Sequence, residues 1–360
     1  MAHRVFNFNP GPATLPLEVL KLAQEELLDF KGTGMSVLEI SHRSPEYEEV
    51  NESAIQLARE IMGLPEDYQI LFLTGGASTQ FALVPMNFAH GGKKGAYVDT
   101  GSWSSKAIQE AQLIGPVHLS ASSKDRGYRR IPDLGEIKVP PEAAYLHITT
   151  NNTIWGTQWH EIPKVSVPLI ADMSSDICSR QWDYKKFSLI YAGTQKNLGV
   201  AGVTLVAVRD ELLKRCRDGL PTMFDYRTHA KEKSLYNTPP VFAVYLMKLV
   251  LEWLKRQGGL AGIEKVNRQK KDLIYQVIDK HPDFYKGVVE PQSRSWMNLT
   301  LRLPNEELEK TFASQAKAQG FIGLKGHRSV GGIRVSLYNA LPLEGAQKLA
   351  AFMESFRKAH

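Results

Sequence analysis

The run Gly193-Thr194-Gln195-Lys196-Asn197-Leu198-Gly199 sets one lysine in a glycine-rich turn between two short apolar stretches, 187–191 and 203–208. An ammonium group is costly to bury without a partner. Such a lysine either reaches water, as in an ordinary hairpin, or gives up its proton and becomes an amine that condenses with aldehydes. Upstream, the apolar segment 167–171 ends on Asp172. Between Asp172 and Lys196 there is room for one short connection and one more strand. If those strands are neighbours, carboxylate and amine face the same crevice at the sheet's carboxyl edge, where open α/β sheets bind ligands.

That pairing suits pyridoxal phosphate: the amine holds the aldehyde as a Schiff base, and the acid keeps the pyridine nitrogen protonated so that the ring accepts carbanion electrons. A second signal is the strand 69–73, which ends in Thr74-Gly75-Gly76-Ala77-Ser78-Thr79 before an apolar helical stretch, 80–88. Strand, glycines, small hydroxyl residues and helix start aim backbone N–H groups at an anion, although a plain tight turn is the alternative. The loop is neither a dinucleotide fingerprint nor a Walker sequence. Trp103 follows strand 96–99 in Thr100-Gly101-Ser102-Trp103-Ser104, where a ring either packs or stacks on a flat cofactor.

Several cations have no acidic partner nearby in sequence. His42 and Arg43 stand before Ser44-Pro45, the cap and first turn of a helix carrying Val50, Ala54, Leu57 and Ile61. Two cations there oppose the helix dipole, so stability does not explain them. His327 and Arg328 form a second His-Arg pair, also in a glycine- and serine-rich loop where function concentrates. Arg334 lies on a strand after a Gly-Gly turn, and its guanidinium fork matches a carboxylate, a structural ion pair being the alternative. Together these suit a small substrate bearing one carboxylate and one phosphate.

The elements that must position these groups read as strands alternating with helices, which predicts an α/β fold with a mostly parallel central sheet flanked by helices. The reading places strands at 69–73, 96–99, 117–119, 144–149 and 169–171. A helix runs from Pro16 to Gly32 with Leu17, Leu20, Leu27 and Leu28 on one face. Segment 226–233 reads as a polar loop. A long helix, 242–257, breaks at Gly258-Gly259 and is followed by another at 263–280. The tail turns α+β, with strand 297–303, helix 306–319, strand 333–337 and helix 343–357. The chain thus divides into an N-terminal arm, 1–15, packing with the small domain, a large domain, 16–260, and a smaller C-terminal α+β domain, 261–360.

The 360 residues suffice for two domains, and 43% hydrophobic with 23% charged residues is ordinary for a globular chain. The net charge of +6 is dispersed along helices, which argues against nucleic acid and fits anionic small substrates. Two cysteines, Cys178 and Cys216, are too few for a disulfide framework or a cysteine zinc site, and no metal is expected. No charged start followed by an apolar core and no membrane-length apolar run is found, so the expected location is the cytoplasm and no membrane partner is expected.

Seven motifs complete the reading: Asn9-Pro10-Gly11-Pro12, Ser41-His42-Arg43-Ser44, Thr74-Gly75-Gly76-Ala77-Ser78, Ala171-Asp172-Met173-Ser174-Ser175-Asp176, Gly193-Thr194-Gln195-Lys196-Asn197, Tyr236-Asn237-Thr238-Pro239 and Gly326-His327-Arg328. In this order and spacing the chain resembles the phosphoserine aminotransferase family, class V pyridoxal-phosphate enzymes of fold-type I. The resemblance implies that Lys196 is the Schiff-base lysine and the base moving the proton between Cα and C4′. It implies that Asp172 pairs with the pyridinium nitrogen, Trp103 stacks on the ring and Thr153 hydrogen-bonds its phenolic oxygen. Ala77, Ser78 and Gln195 would hold the phosphate. Some members carry Arg where this chain has Ala77, so binding here would lean on backbone N–H groups and the Ser78 hydroxyl. Asn237 and Thr238 would reach the phosphate of a neighbouring subunit, implying a homodimer with shared sites.

The implied reaction is reversible transamination of 3-phosphohydroxypyruvate with L-glutamate, giving O-phospho-L-serine and 2-oxoglutarate, as in serine biosynthesis. Some relatives also use 4-phosphohydroxythreonine in pyridoxine biosynthesis. Arg334 would take the substrate carboxylate, and His42, Arg43, His327 and Arg328 its phosphate. Other chemistries fit less well. A cysteine desulfurase needs a nucleophilic cysteine on a C-terminal loop, and those loops hold none. An alanine–glyoxylate transaminase has no use for two His-Arg pairs. A nicotinamide oxidoreductase would show a dinucleotide fingerprint, and a non-catalytic binding protein would leave Lys196 without a role.

Overall fold

The structure, a computed structural model, describes residues 4–360. The chain opens with β1 (Phe6–Asn7), α1 (Leu17–Glu25) and α2 (Pro45–Met62), then β2 (Tyr68–Leu73) and α3 (Gly76–Phe88). Next come β3 (Gly95–Asp99), α4 (Ser102–Ile114), β4 (Val117–Ser122), β5 (Tyr145–Thr149), β6 (Leu169–Asp172), β7 (Leu189–Gly193) and β8 (Thr204–Arg209). The helices α5 (Asp210–Leu213), α6 (Tyr226–Lys231), α7 (Val241–Arg256) and α8 (Gly259–Lys280) follow. The chain closes with β9 (Lys286–Gly287), β10 (Asn298–Arg302), α9 (Glu306–Ala318), β11 (Phe321–Ile322), β12 (Ile333–Ser336) and α10 (Leu343–Ala359).

Among the described residues the main sheet runs β2-β8-β7-β6-β5-β3-β4. Only β8 opposes its neighbours: it is antiparallel to β2 and to β7, while β7, β6, β5, β3 and β4 pair in parallel. The carboxyl ends of β2, β3, β5, β6 and β7 therefore share one edge. Residues of β5, β6 and β7 are buried along their whole length, because helices cover both faces. On one face Leu146, Ile148 and Ala171 pack towards α2 and α7; on the other Tyr145, Ile170 and Tyr191 pack towards α3 and α4.

A second sheet, β12-β10-β9, has its own core of Leu299, Leu301, Val335 and the apolar sides of α9 and α10. Helix α8 joins the two: Ile263 sits in the first core, and Ile274, Val277 and Ile278 sit in the second. The N-terminal arm pairs β1 with β11 in parallel and buries Phe8 in the second core.

Three local expectations are corrected. Helix α1 ends at Glu25 rather than at Gly32, and its buried residues are Val19 and Ala23, whereas Leu17, Leu20, Leu27 and Leu28 are exposed. Beyond it the Asp29 carboxylate accepts the Gly34 N–H, a local bond that competes with helix. Segment 226–233 is mostly helical, because Asp225 caps α6 by accepting the Arg227 N–H, and Tyr226 and His229 are buried. Helix α8 begins at Gly259, four residues early, since the left-handed glycines Gly258 (φ 87°) and Gly259 (φ 61°) turn the chain at once.

Candidate active site

The loops at the shared carboxyl edge enclose a cavity of about 400 Å³, well within the range of small-ligand sites. Asp172 ends β6 and Lys196 lies in the turn after β7, its immediate parallel neighbour. Both side chains line the cavity. Lys196 is half-buried, and its Nζ donates to Thr153 Oγ1 at 2.8 Å. Burial lowers its pKa to about 8, the charge on Asp172 opposing the shift and Arg334 adding to it. Asp172 is buried, and burial raises its pKa, against the Ser174 hydrogen bonds and the charge on Lys196. Its Oδ1 accepts the Ser174 N–H at 2.9 Å. Each group is thus short of counter-charge: the acid wants a cation and the amine is poised to lose its proton.

The neighbouring carboxylate differs. Asp176 is buried away from the cavity and accepts from Thr150 Oγ1 and Gln158 Nε2. It is a satisfied structural acid, and Asp172 is the one left facing the cavity.

At the cavity wall α3 begins with Gly76, Ala77 and Ser78, all lining it. Its N-cap is Gly75, with φ of 86°, and no side chain caps the helix, so the first-turn N–H groups stay free for an anion. Trp103, in the first turn of α4, forms part of the wall, and its Nε1–H is buried with no partner among the described residues. Thr153 and Gln195 also line the space. An anion cradle, an aromatic face, an acid short of a cation and an amine of lowered pKa together fit pyridoxal phosphate. Asn237 and Thr238 are exposed and lie outside this chain's cavity.

Arg334 projects from β12, is 7% exposed, and reaches the cavity. It donates through Nη1 to the Thr153 carbonyl at 3.1 Å, and its Nε is buried without a partner. Among the described residues no salt bridge pairs it with a carboxylate, and burial lowers its pKa with only Tyr338 opposing. A guanidinium held this way lacks an anion. His327 lines the cavity, whereas Arg328 is exposed outside it. Burial, then Arg334, Arg328 and Lys106, lower the His327 pKa, so its ring is neutral at pH 7. The Ser329 N–H donates to His327 Nδ1, which leaves Nε2 as the N–H donor. His42 and Arg43 sit beside each other before α2, Arg43 Nε being 3.3 Å from His42 Nε2, and they do not reach the cavity of their own chain. The two His-Arg pairs therefore do not converge within one chain.

Sequence reasoning passed over part of the wall. Pro10, Gly11 and Pro12 of the arm close one side, and a Cβ on Gly11 would stand 3.3 Å from Lys196 Cγ. Thr149, Asn151, Ser174 and Ser175 also line the cavity. Their signal is position: each ends β5, follows β5 or β6 by a few residues, or lies in a glycine-proline arm, where loops meet the sheet edge.

Comparison with known proteins agrees with this geometry. The family model for class-V aminotransferases matches residues 5–349. A phosphoserine aminotransferase of Geobacillus kaustophilus is 58% identical over 355 residues, 99% of each chain. The structure of the phosphoserine aminotransferase from Bacillus circulans subsp. alkalophilus superimposes with a TM-score of 0.97 at 52% identity, covering 99% of both chains. A pyridoxal-phosphate-bound phosphoserine aminotransferase from Trichomonas vaginalis superimposes at 0.91 with 36% identity, over 98% of this chain and all of that one.

Proposed function

Because the chain belongs to the class-V aminotransferases, we propose that it moves the amino group between O-phospho-L-serine and 2-oxoglutarate, with pyridoxal phosphate seated between Lys196 and Asp172. The products are 3-phosphohydroxypyruvate and L-glutamate, and the reaction serves L-serine biosynthesis. The observation that carries the residue assignment is the shared cavity: a buried acid short of a cation faces a lysine whose pKa has fallen to about 8.

Bound there, pyridoxal phosphate supplies an aldehyde for amines and a protonated ring that accepts the electron pair released at Cα. Asp172 keeps the ring nitrogen protonated by offering it a fixed negative charge. Lys196 would hold the cofactor's aldehyde and, as the free amine, would take and return the Cα proton. Thr153 orients the lysine in the free chain and hydrogen-bonds the phenolic oxygen when the cofactor is present. Trp103 covers the ring and limits water. The first turn of α3 and the hydroxyl of Ser78, with Gln195, hold the cofactor phosphate. Ala77 contributes only its backbone, in place of the Arg that some relatives carry.

Arg334 grips the α-carboxylate common to both amino acids, and His327 binds the substrate phosphate from inside the cavity; Arg328, exposed just outside it, adds a second positive charge at that end. His42, Arg43, Asn237 and Thr238 lie outside their own chain's cavity, which supports a homodimer whose sites take these four residues from the partner. A cytoplasmic location and the division into arm, large domain and small domain belong to the same reading; no helix among the described residues is long and apolar enough to cross a membrane. Use of 4-phosphohydroxythreonine is part of the proposal too, since its phosphate and carboxylate meet the same groups.

The test is spectroscopic and kinetic. Purified protein loaded with pyridoxal phosphate shows a visible band that phosphoserine bleaches and 2-oxoglutarate restores. Lys196→Ala loses the borohydride-sensitive band, and turnover falls by roughly 10²- to 10⁴-fold. A Lys196→Ala band unchanged under borohydride, or a band that phosphoserine leaves untouched, refutes the assignment.

A further inference from the structure

Helix α8 carries two buried polar residues one turn apart, Asn267 and Lys270, in the stretch between its two apolar cores. Lys270 is fully buried, and among the described residues no carboxylate answers it. Its Nζ donates instead to the carbonyls of Tyr338 at 2.8 Å, Leu341 at 3.1 Å and Leu337 at 3.2 Å. An ammonium has three N–H bonds, so these carbonyls saturate it. Burial alone pulls its pKa down to about 7, and the carbonyl dipoles favour the charged form.

The turn cinched by Lys270 follows directly on the strand of Arg334 and grips the cavity from several sides. The Asn339 N–H donates to Asn197 Oδ1 at 3.0 Å, and Asn197 is bonded to the Ile177 carbonyl in turn. Asn339 Nδ2 donates to the Cys178 carbonyl at 2.9 Å, and Asn267 Nδ2 bridges Asn339 Oδ1 and the Ser179 carbonyl, each at 2.8 Å. Tyr338 Oη donates to the carbonyl of Pro10, which lines the cavity. One short turn thus holds the residue next to Lys196, the loop that follows Asp172, the arm and the strand bearing Arg334.

A buried cation used only for packing is a poor choice, since apolar residues of similar volume are often as stable or more so. Resting on the transaminase reading above, we infer that Lys270 and Asn339 are positioning residues: they fix the 337–341 turn so that Lys196 and Arg334 keep one mutual distance. The carboxylate that Arg334 holds then presents its Cα proton to the Lys196 amine. Neither residue touches substrate. Their effect passes through Asn197 on one side and the β12 backbone on the other.

The test compares Lys270→Met and Asn339→Ala with the parent holoenzyme at a temperature well below unfolding. Expected for both is a fall in kcat of roughly tenfold to a hundredfold, as for misplacement by a fraction of an ångström to one ångström. The pH midpoint of the bound cofactor's visible band moves by about half a unit or more, since the lysine's surroundings have changed. Affinity for pyridoxal phosphate stays within about twofold of the parent, because the α3 cradle is not part of the clamp. In the apoproteins hydrogen exchange quickens at residues 196–199 and 337–341 but not in β5 to β7. Parent-like kcat, band midpoint and exchange in a folded variant overturn the inference. So does an equal loss of cofactor affinity and quickening throughout the sheet, which marks a general structural role. Where Lys270→Met does not fold, Asn339→Ala, which leaves the ammonium cage intact, decides alone. A parent enzyme that binds the cofactor yet ignores phosphoserine refutes the substrate reading instead, while band midpoint and exchange still judge the clamp.

Discussion

At the scale of single residues, the site is a set of charges deprived of partners. Lys196 has its pKa lowered to about 8 from an ordinary 10.5, so the folded apoprotein sheds this proton before the unfolded chain does. Between about pH 8 and 10.5 the unfolded state therefore binds more protons, and stability rises with pH through that window. Below pH 8 the full cost of the buried charge is present. The melting temperature of the apoprotein, measured against Lys196→Met, should climb from pH 8 to 10.5, and a flat difference across that range contradicts the lowered value. On the proposed reading, Arg334 takes the carboxylate end of the substrate and Arg328 adds charge at the phosphate end. Arg334→Ala should lower kcat/KM for glutamate and phosphoserine alike, by roughly tenfold to a hundredfold, because a charged hydrogen-bond pair is lost from each. Arg328→Ala should hurt phosphoserine far more than glutamate. Equal losses in the second variant, read in steady-state assays of each amino donor, would remove phosphate recognition from Arg328.

At the scale of elements, the α3 N-terminus depends on a backbone shape that only glycine takes easily. Gly75 has φ of 86°, and a Cβ there would stand 1.9 Å from Thr79 Oγ1, whose hydroxyl donates to the Gly75 carbonyl. Gly75→Ala must strain the turn or push Thr79 aside, at about 1–2 kcal/mol. Since that turn aims the free N–H groups, affinity for pyridoxal phosphate should weaken by roughly fivefold to thirtyfold. Fluorescence titration of the apoenzyme measures it, and an unchanged affinity would place the phosphate elsewhere. The order of the main sheet matters in the same way. Because β8 alone runs against its neighbours, the ends of β2, β3, β5, β6 and β7 meet at one edge, and the cradle, the aromatic wall, the acid and the amine arrive together.

At the scale of the whole molecule, the exposed apolar residues concentrate between positions 17 and 38. Leu28 is 84% and Leu38 60% exposed, and Leu17, Leu20, Leu22, Leu27 and Met35 are exposed beside them in the chain. A partner surface is where such residues would be covered. The stretch runs into His42 and Arg43, which their own cavity does not use. The proposed homodimer would account for both if the second copy seats there. The chain should therefore sediment at twice its 40.3 kDa mass, and Leu28→Asp with Leu38→Asp should yield monomers with little turnover. A parent chain that is monomeric and fully active would sink the shared-site arrangement.

What the sequence determined by itself was chemistry tied to local pattern. Lys196 stood out because a glycine-rich turn between apolar strands is an odd place for an ammonium, and Asp172 because it closes such a strand. The same reasoning pointed to the start of α3, whose strand, glycines and helix start lie within twenty residues, as a place for an anion, with a plain tight turn as the alternative. It misjudged α1, where leucines at helical spacing face outward and small Val19 and Ala23 face the core; spacing shows that a stripe exists but not which neighbour covers it. It missed α6, whose single capping acid looks like any loop aspartate until Tyr226 and His229 are seen to be buried. Only the tertiary structure decided that Asp172 rather than Asp176 faces the cavity, that His327 reaches it without Arg328, and that Lys270 lies inside a cage of carbonyls. Each depends on groups far apart in the chain, brought within hydrogen-bond range by the stacking of two cores along α8. No residue-by-residue pattern encodes which carbonyl will stand opposite a buried ammonium, because that distance is set by how whole elements pack.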